Sequence, residues 1–187
     1  MKALLKGTLM FMMHDRETPV WDLVTRIFHW SLVLIFCAAQ ITAEEWDSAH
    51  EYAGYVIIGL VIFRLIWGFI GPENVRFIDF VKSPGTIVKH ITGMLTGRHT
   101  PETGHNPAGG AMVVVLLVWL ALTGLTGWLN ISLSGPAAEI LEDIHELLGE
   151  FSLLLIAAHI TGIIVMSILE RQNLAKSMID VKKFVSE

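Results

Sequence analysis

Four apolar runs of about 20 residues each constrain the fold of this chain more than any other feature. They cover approximately residues 24–43, 50–70, 110–129 and 145–169. A helix of about 20 apolar residues crosses the roughly 30 Å hydrocarbon layer of a bilayer. The runs are continuous rather than alternating, which favours helices over barrel strands. The sequence therefore predicts a single all-α domain over residues 1–187, an integral membrane four-helix bundle surrounded by lipid.

Composition supports a membrane protein and argues against nucleic-acid binding. Hydrophobic residues make up 53% of the 187 residues and charged residues only 17%, against about a quarter charged in soluble domains. The formal net charge is -5, so the chain has no basic field to attract phosphates.

The distribution of basic residues predicts the orientation in the membrane. Of the 13 lysines and arginines, 12 precede or open the first run, lie between the second and third, or follow the fourth; Arg64 is the exception. The 44–49 and 130–144 connections contain none. The positive-inside rule then places both termini and the 72–108 loop in the cytoplasm. The opposite face is acidic, with Glu44, Glu45, Asp47, Glu139, Glu142 and Asp143.

Two segments lie outside the spans on the predicted cytoplasmic side. Residues 1–18 have only a short apolar stretch and no small-x-small cleavage site, which favours a cytoplasmic extension over a signal peptide. Within the 72–108 loop, Ser83 and Pro84 precede a mixed apolar and basic stretch. This pattern predicts a short interfacial helix with Ser83 as its cap and Pro84 at its first position.

Four histidines fall within or at the ends of the predicted spans, where ionisable residues are candidates for function. His50 and His145 stand at the predicted outer starts of their spans, whereas His29 and His159 lie nearer the cytoplasmic ends. The four therefore form an outer pair and an inner pair. The remaining histidines are predicted to be solvated or interfacial: His14, His90, His99 and His105.

The spacing on the fourth span indicates what the pairs hold. His145 and His159 are 14 residues apart, which is 40° short of four turns and about 21 Å of rise. They share one face, so two haems can be stacked along the bundle, each held by one imidazole from this span and one from a facing helix. Zinc would need three or four ligands at one point. Because the chain has no Cys-x-x-Cys-His motif, the haems would be held non-covalently.

Arg64 and several glycines accompany the histidines. Arg64 follows His50 by 14 residues, so it shares that face at the depth of the inner pair. Two interpretations stay open: it binds a haem propionate, or it snorkels to the headgroups. Gly54 and Gly149 lie one turn beyond the outer histidines, where a porphyrin face needs room. The small residues Gly124 and Gly127 favour ordinary helix packing.

Several longer segments together carry a family resemblance. They are WDLVTRIFHW (21–30), HEYAGYVIIGLVIFRLIWGFIGP (50–72), RFIDFVKSP (76–84), GHNPAGGAMV (104–113), LTGLTGW (122–128) and the segment 145–179. From about residue 20 to 183 the chain resembles the bacterial cytochrome b561 family, which includes the b-type cytochrome subunits of nickel-iron hydrogenases. The resemblance implies two b haems ligated at His29, His50, His145 and His159. It also implies electron transfer with the ubiquinone or menaquinone pool.

The expected function is transmembrane electron transfer between quinone and a periplasmic redox protein such as a c-type cytochrome. Bis-histidine ligation leaves no open iron site, which favours one-electron transfer, and the acidic face favours a cationic partner. Quinone oxidoreductase activity is left open. Alternatives within the family are a superoxide:quinone oxidoreductase and a hydrogenase subunit. Alternatives of another class are a haem-free proton or metal transporter and a passive membrane anchor.

Overall fold

The computed structural model describes residues 21–73, 75–96, 106–171 and 173–179. The predicted extension at residues 1–18 lies outside them. The described residues form helices and no strand. In chain order the helices are α1 (Leu23–Thr42), α2 (Asp47–Ile70), α3 (Phe77–Phe80), α4 (Pro84–Leu95), α5 (Pro107–Ser132), α6 (Pro136–Leu169) and α7 (Leu174–Ser177).

Four of these helices, α1, α2, α5 and α6, are long and apolar enough to cross a membrane. This confirms the all-α membrane bundle. We call the end of the bundle where α1 and α5 begin and α2 and α6 finish the basic end. The end formed by the 43–46 and 133–135 connections is the acidic end.

Local sequence signals explain where several helices begin. The Asp22 carboxylate accepts a hydrogen bond from the Thr25 backbone N–H at the start of α1. The Asn106 side chain caps α5 in the same way, at 2.7 Å from the Gly109 nitrogen. Ser83 caps α4, with Pro84 in its first turn, as the sequence predicts. Polar caps satisfy N–H groups that have no partner within the helix.

The start of the fourth long helix corrects a sequence expectation. The sequence placed residues 130–144 in a connection, but α6 begins at Pro136, nine residues before His145. Gly135 has φ +74°, a conformation that favours glycine, and it turns the chain directly into the helix. The charges at 139–143 therefore end the apolar run but not the helix. The third span likewise extends beyond 110–129, to Pro107–Ser132.

Packing of the long helices is uneven. α1 packs on α2, α2 on α5, and α5 on α6. The buried core cluster comes from the first three of these helices: Phe28, Phe36, Ala39, Ala53, Ile57, Val61, Leu117 and Leu120. Within the described residues, the backbone of α6 makes only sparse contact with α1 and α2. The fourth long helix thus meets α1 and α2 mainly through side chains, such as Ile156, which packs against the core cluster.

Candidate haem site

His50 and His145 converge near the acidic end. Their ring centres are 5.9 Å apart and the ring planes are inclined by 78°. A metal bound by two opposed imidazoles, with metal–nitrogen bonds of about 2 Å, keeps the ring centres about 6 Å apart. His145 is nine residues inside α6 rather than at its start, and α5 also continues past the level of this residue, to Ser132.

Backbone carbonyl groups fix the orientation of both rings. Nδ1 of His50 lies 2.9 Å from the carbonyl oxygen of Ala39, and Nδ1 of His145 lies 2.8 Å from that of Thr123. A carbonyl oxygen can only accept a hydrogen bond, so each Nδ1 carries the proton and donates it. Nε2 of each ring is then the unprotonated nitrogen, which is the form that binds a metal.

Glycines make room for the outer pair in two ways. A Cβ atom at Gly127 would lie 2.8 Å from Cε1 of His145, whereas Gly54 and Gly149 face open space with nothing within 4 Å. Gly127 therefore lets α5 approach the histidine ring, which is more specific than the helix packing expected from sequence. The open space at Gly54 and Gly149 is where the sequence predicts room for a porphyrin. Gly124 approaches the side chain of Ile58, as ordinary helix packing requires.

The inner pair consists of His29 on α1 and His159 on α6. Both residues are half-buried. Within the described residues, Nδ1 of His29 is buried without a hydrogen-bond partner. The Trp30 ring lies edge-on to His29 at 5.4 Å between centres.

Arg64 is held inside the protein at the basic end. It is 3% exposed, its Nη2 donates to the Val75 carbonyl at 3.1 Å, and its guanidinium lies 5.1 Å from the centre of the Phe77 ring and 5.8 Å from that of Phe80. Such cation–π contacts stabilise a desolvated guanidinium. The guanidinium is buried in the protein, which favours the propionate interpretation over snorkelling.

Buried side-chain nitrogens that have no hydrogen-bond partner within the described residues lie near the basic ends of α1 and α2. They are Arg26 Nε, His29 Nδ1, Arg64 Nη1 and Trp67 Nε1. Arginine and tryptophan nitrogens can only donate, and an unsatisfied buried donor is costly. An acceptor-rich group would satisfy them, and the two carboxylates of a haem are such a group. The residues present therefore fit a haem at the inner pair.

Sequence patterns did not indicate three of these features: the carbonyl groups of Ala39 and Thr123, and the burial of Arg26. Carbonyl groups have no side-chain signature, although Thr42 and Thr126 each bond to the same carbonyl as the histidine. Arg26 precedes His29 by three residues, and that helical spacing could have drawn attention to it.

The family model for prokaryotic cytochrome b561 matches residues 20–180. The chain belongs to the prokaryotic cytochrome b561 family. Neither the search of curated proteins nor the search of solved structures finds a match. The family assignment makes this a multi-pass membrane cytochrome of the b type that functions in electron transfer, and it implies b haem as the cofactor. It favours electron transfer over the transporter and passive-anchor interpretations.

Proposed function

We propose that this b561-family protein transfers electrons across the bacterial inner membrane through two b haems. One haem is held by His50 and His145 and the other by His29 and His159. The observation that carries the proposal is the convergence of His50 and His145 from separate helices, with both Nδ1 atoms engaged by carbonyl groups. Two unprotonated Nε2 atoms are thereby available for one iron.

A b haem held by two histidines would supply one-electron transfer. The chain then has to hold the rings rigidly and control the surrounding charge. The carbonyl oxygens of Ala39 and Thr123 orient the two outer rings and raise the basicity of their Nε2 atoms. The inner rings lie on α1 and α6, where both histidines are half-buried.

Arg64 is proposed as a cofactor-binding residue of the inner haem. Nη2 donates to the Val75 carbonyl, and Nη1 is buried with no acceptor in the part of the chain that the structure describes. A propionate at Nη1 would neutralise the buried cation and satisfy its remaining donor, which a buried charge requires. This supports the interpretation that Arg64 binds a propionate.

An exposed acidic stripe supports the proposal of a cationic periplasmic redox partner. The stripe consists of Glu139, Glu142, Asp143, Glu146 and Glu150. Spacings of three and four residues place these carboxylates on one face of α6, and none of them is in a salt bridge in the described part of the chain. Complementary charge would steer a basic protein, such as a c-type cytochrome, towards the outer haem.

The opposite end is proposed to face the cytoplasm, together with both termini, because it collects the lysines and arginines. Quinone is proposed as the second redox partner, and the family assignment supports it. A hydrogenase is the alternative partner that the family resemblance leaves open.

Single histidine substitutions test the pairing. Replacing either member of a pair with alanine should remove the same haem, measured as haem per purified chain and by redox titration. His90→Ala is the matched control, because His90 lies on α4 and not on a helix that carries one of the paired histidines, and it should retain both haems. The inner pairing fails if His29→Ala and His159→Ala remove different haems.

A further inference from the structure

The C-terminal end of the described chain is fastened to the start of α1 by three hydrogen bonds. We call residues Asn173–Ile179 the C-terminal strap. The indole N–H of Trp21 donates to Ser177 Oγ at 3.3 Å, and that of Trp30 donates to the Met178 carbonyl at 3.2 Å. Arg26 Nη1 donates to the Ile179 carbonyl at 3.1 Å. Three donors on α1 or just before it thus engage three consecutive residues of the strap.

The other end of the strap is fastened to α6. Arg171 has φ +52°, an uncommon conformation for a residue other than glycine, and it turns the chain back at the end of α6. The Leu174 backbone N–H then donates to Ser167 Oγ at 3.2 Å. Asn173 caps the short helix α7 by accepting from the Lys176 backbone N–H at 2.9 Å. The strap therefore connects α6 to α1 through polar contacts at both of its ends.

This connection matters because α1 and α6 have little direct contact. Their backbones pack sparsely within the described residues, and each carries one member of the inner histidine pair. Arg26 lies one turn before His29, and Trp30 contacts the His29 ring. Two of the three donors that engage the strap therefore border His29.

We infer that the C-terminal strap sets the separation of α1 and α6 at the basic end and so positions His29 relative to His159. The inference deepens the proposed function, since it assigns a positioning role around the proposed inner haem. The strap does not touch the iron ligands of the outer pair, so its effect is confined to one end of the bundle.

A distance measurement tests the strap without requiring haem. Spin labels are attached at Ile27→Cys on α1 and Ile168→Cys on α6, both exposed positions, in a Cys37→Ser background. We expect a narrow distribution of label-to-label distances in the full chain and in a control ending at residue 180. In a chain ending at residue 173 this distribution should become broad. An unchanged narrow distribution in the shorter chain would overturn the inference.

A second variant tests the positioning role of the strap if the truncated chain cannot be produced. Trp21→Phe/Trp30→Phe keeps the whole chain and both aromatic rings but removes two of the three donors to the strap. Trp46→Phe is the matched control, because its indole is exposed and makes no hydrogen bond in the described part of the chain. The double variant should broaden the distance distribution, and the control should not.

Measurements on the haem-loaded protein test specifically whether the strap positions His29 relative to His159. The strap variants should shift the midpoint potential and the low-spin electron paramagnetic resonance signal of the inner haem, with the outer haem unchanged. Equal changes at both haems, or none at either, would contradict a positioning role. If the parent chain binds no haem, the proposed function fails, while the spin-label distances still test the strap.

Discussion

The substitution Gly127→Ala tests most sharply how closely α5 supports the outer histidine. The added Cβ would lie 2.8 Å from Cε1 and 3.0 Å from Nδ1 of His145. Non-bonded carbon atoms ordinarily approach to about 3.5–4.0 Å, so the ring has to move by roughly 0.7–1.2 Å. Metal sites tolerate ligand displacements of only about 0.2 Å. The movement would also disturb the 2.8 Å contact between Nδ1 and the Thr123 carbonyl.

We therefore expect Gly127→Ala to bind about one haem per chain instead of two, with the outer haem lost. The helix itself should not be weakened, since alanine is favoured over glycine by about 1 kcal/mol in a helix interior. The assay is haem per purified chain, combined with a redox titration that resolves the two haems. Gly59→Ala is the control, because Gly59 has nothing within 4 Å and lies on the face of α2 opposite His50. Two haems with an unaltered outer signal in Gly127→Ala would refute the assigned role of His145.

Three further outcomes are expected. Gly149→Ala should lower the occupancy of the outer haem without lowering the melting temperature of the haem-free protein, because the new methyl group enters space that only the cofactor fills. Equal haem content in variant and parent would show that the cofactor does not use this space. Arg64→Met should lower the midpoint potential of the inner haem, on the order of tens of millivolts, because a nearby cation disfavours the oxidised iron. An unchanged potential of the inner haem would show that Arg64 does not lie close to it. Replacing the carboxylates of the acidic stripe with amides should remove the ionic-strength dependence of electron exchange with a basic c-type cytochrome. The control Glu73→Gln, at the other end of the bundle, should keep that dependence, and a salt dependence that survives in the stripe variant would place the docking surface elsewhere.

The bundle and the shared face of His145 and His159 could be predicted because both depend on periodicity along single helices. A run of about 20 apolar residues reports a span, and a spacing of 14 residues places His145 and His159 on one face. The convergence of His50 with His145 in the structure agrees with that expectation. The beginning of α6 was predicted wrongly, because charges mark the end of an apolar run, whereas Gly135 and Pro136 determine where the helix begins.

Other parts of the site depend on contacts between residues far apart in the chain. The Ala39 and Thr123 carbonyl groups that orient the outer rings carry no residue-specific signal. The contacts of Arg26 and Trp30 with the strap join residues about 150 positions apart. The Arg64 side chain is held by the rings of Phe77 and Phe80, two residues that follow α2 in the chain. Helical spacing alone gives the depth of Arg64 but not its partners.

The measurement that tests the central claim most directly is the haem content of the purified protein. A reduced-minus-oxidised spectrum, combined with extraction and quantification of the haem, gives its type and its number per chain. The two histidine pairs require two b haems, reduced in two one-electron steps. A chain expressed with adequate haem that binds none would contradict the electron-transfer account, and a single haem would show that one of the two pairs is not a ligand pair.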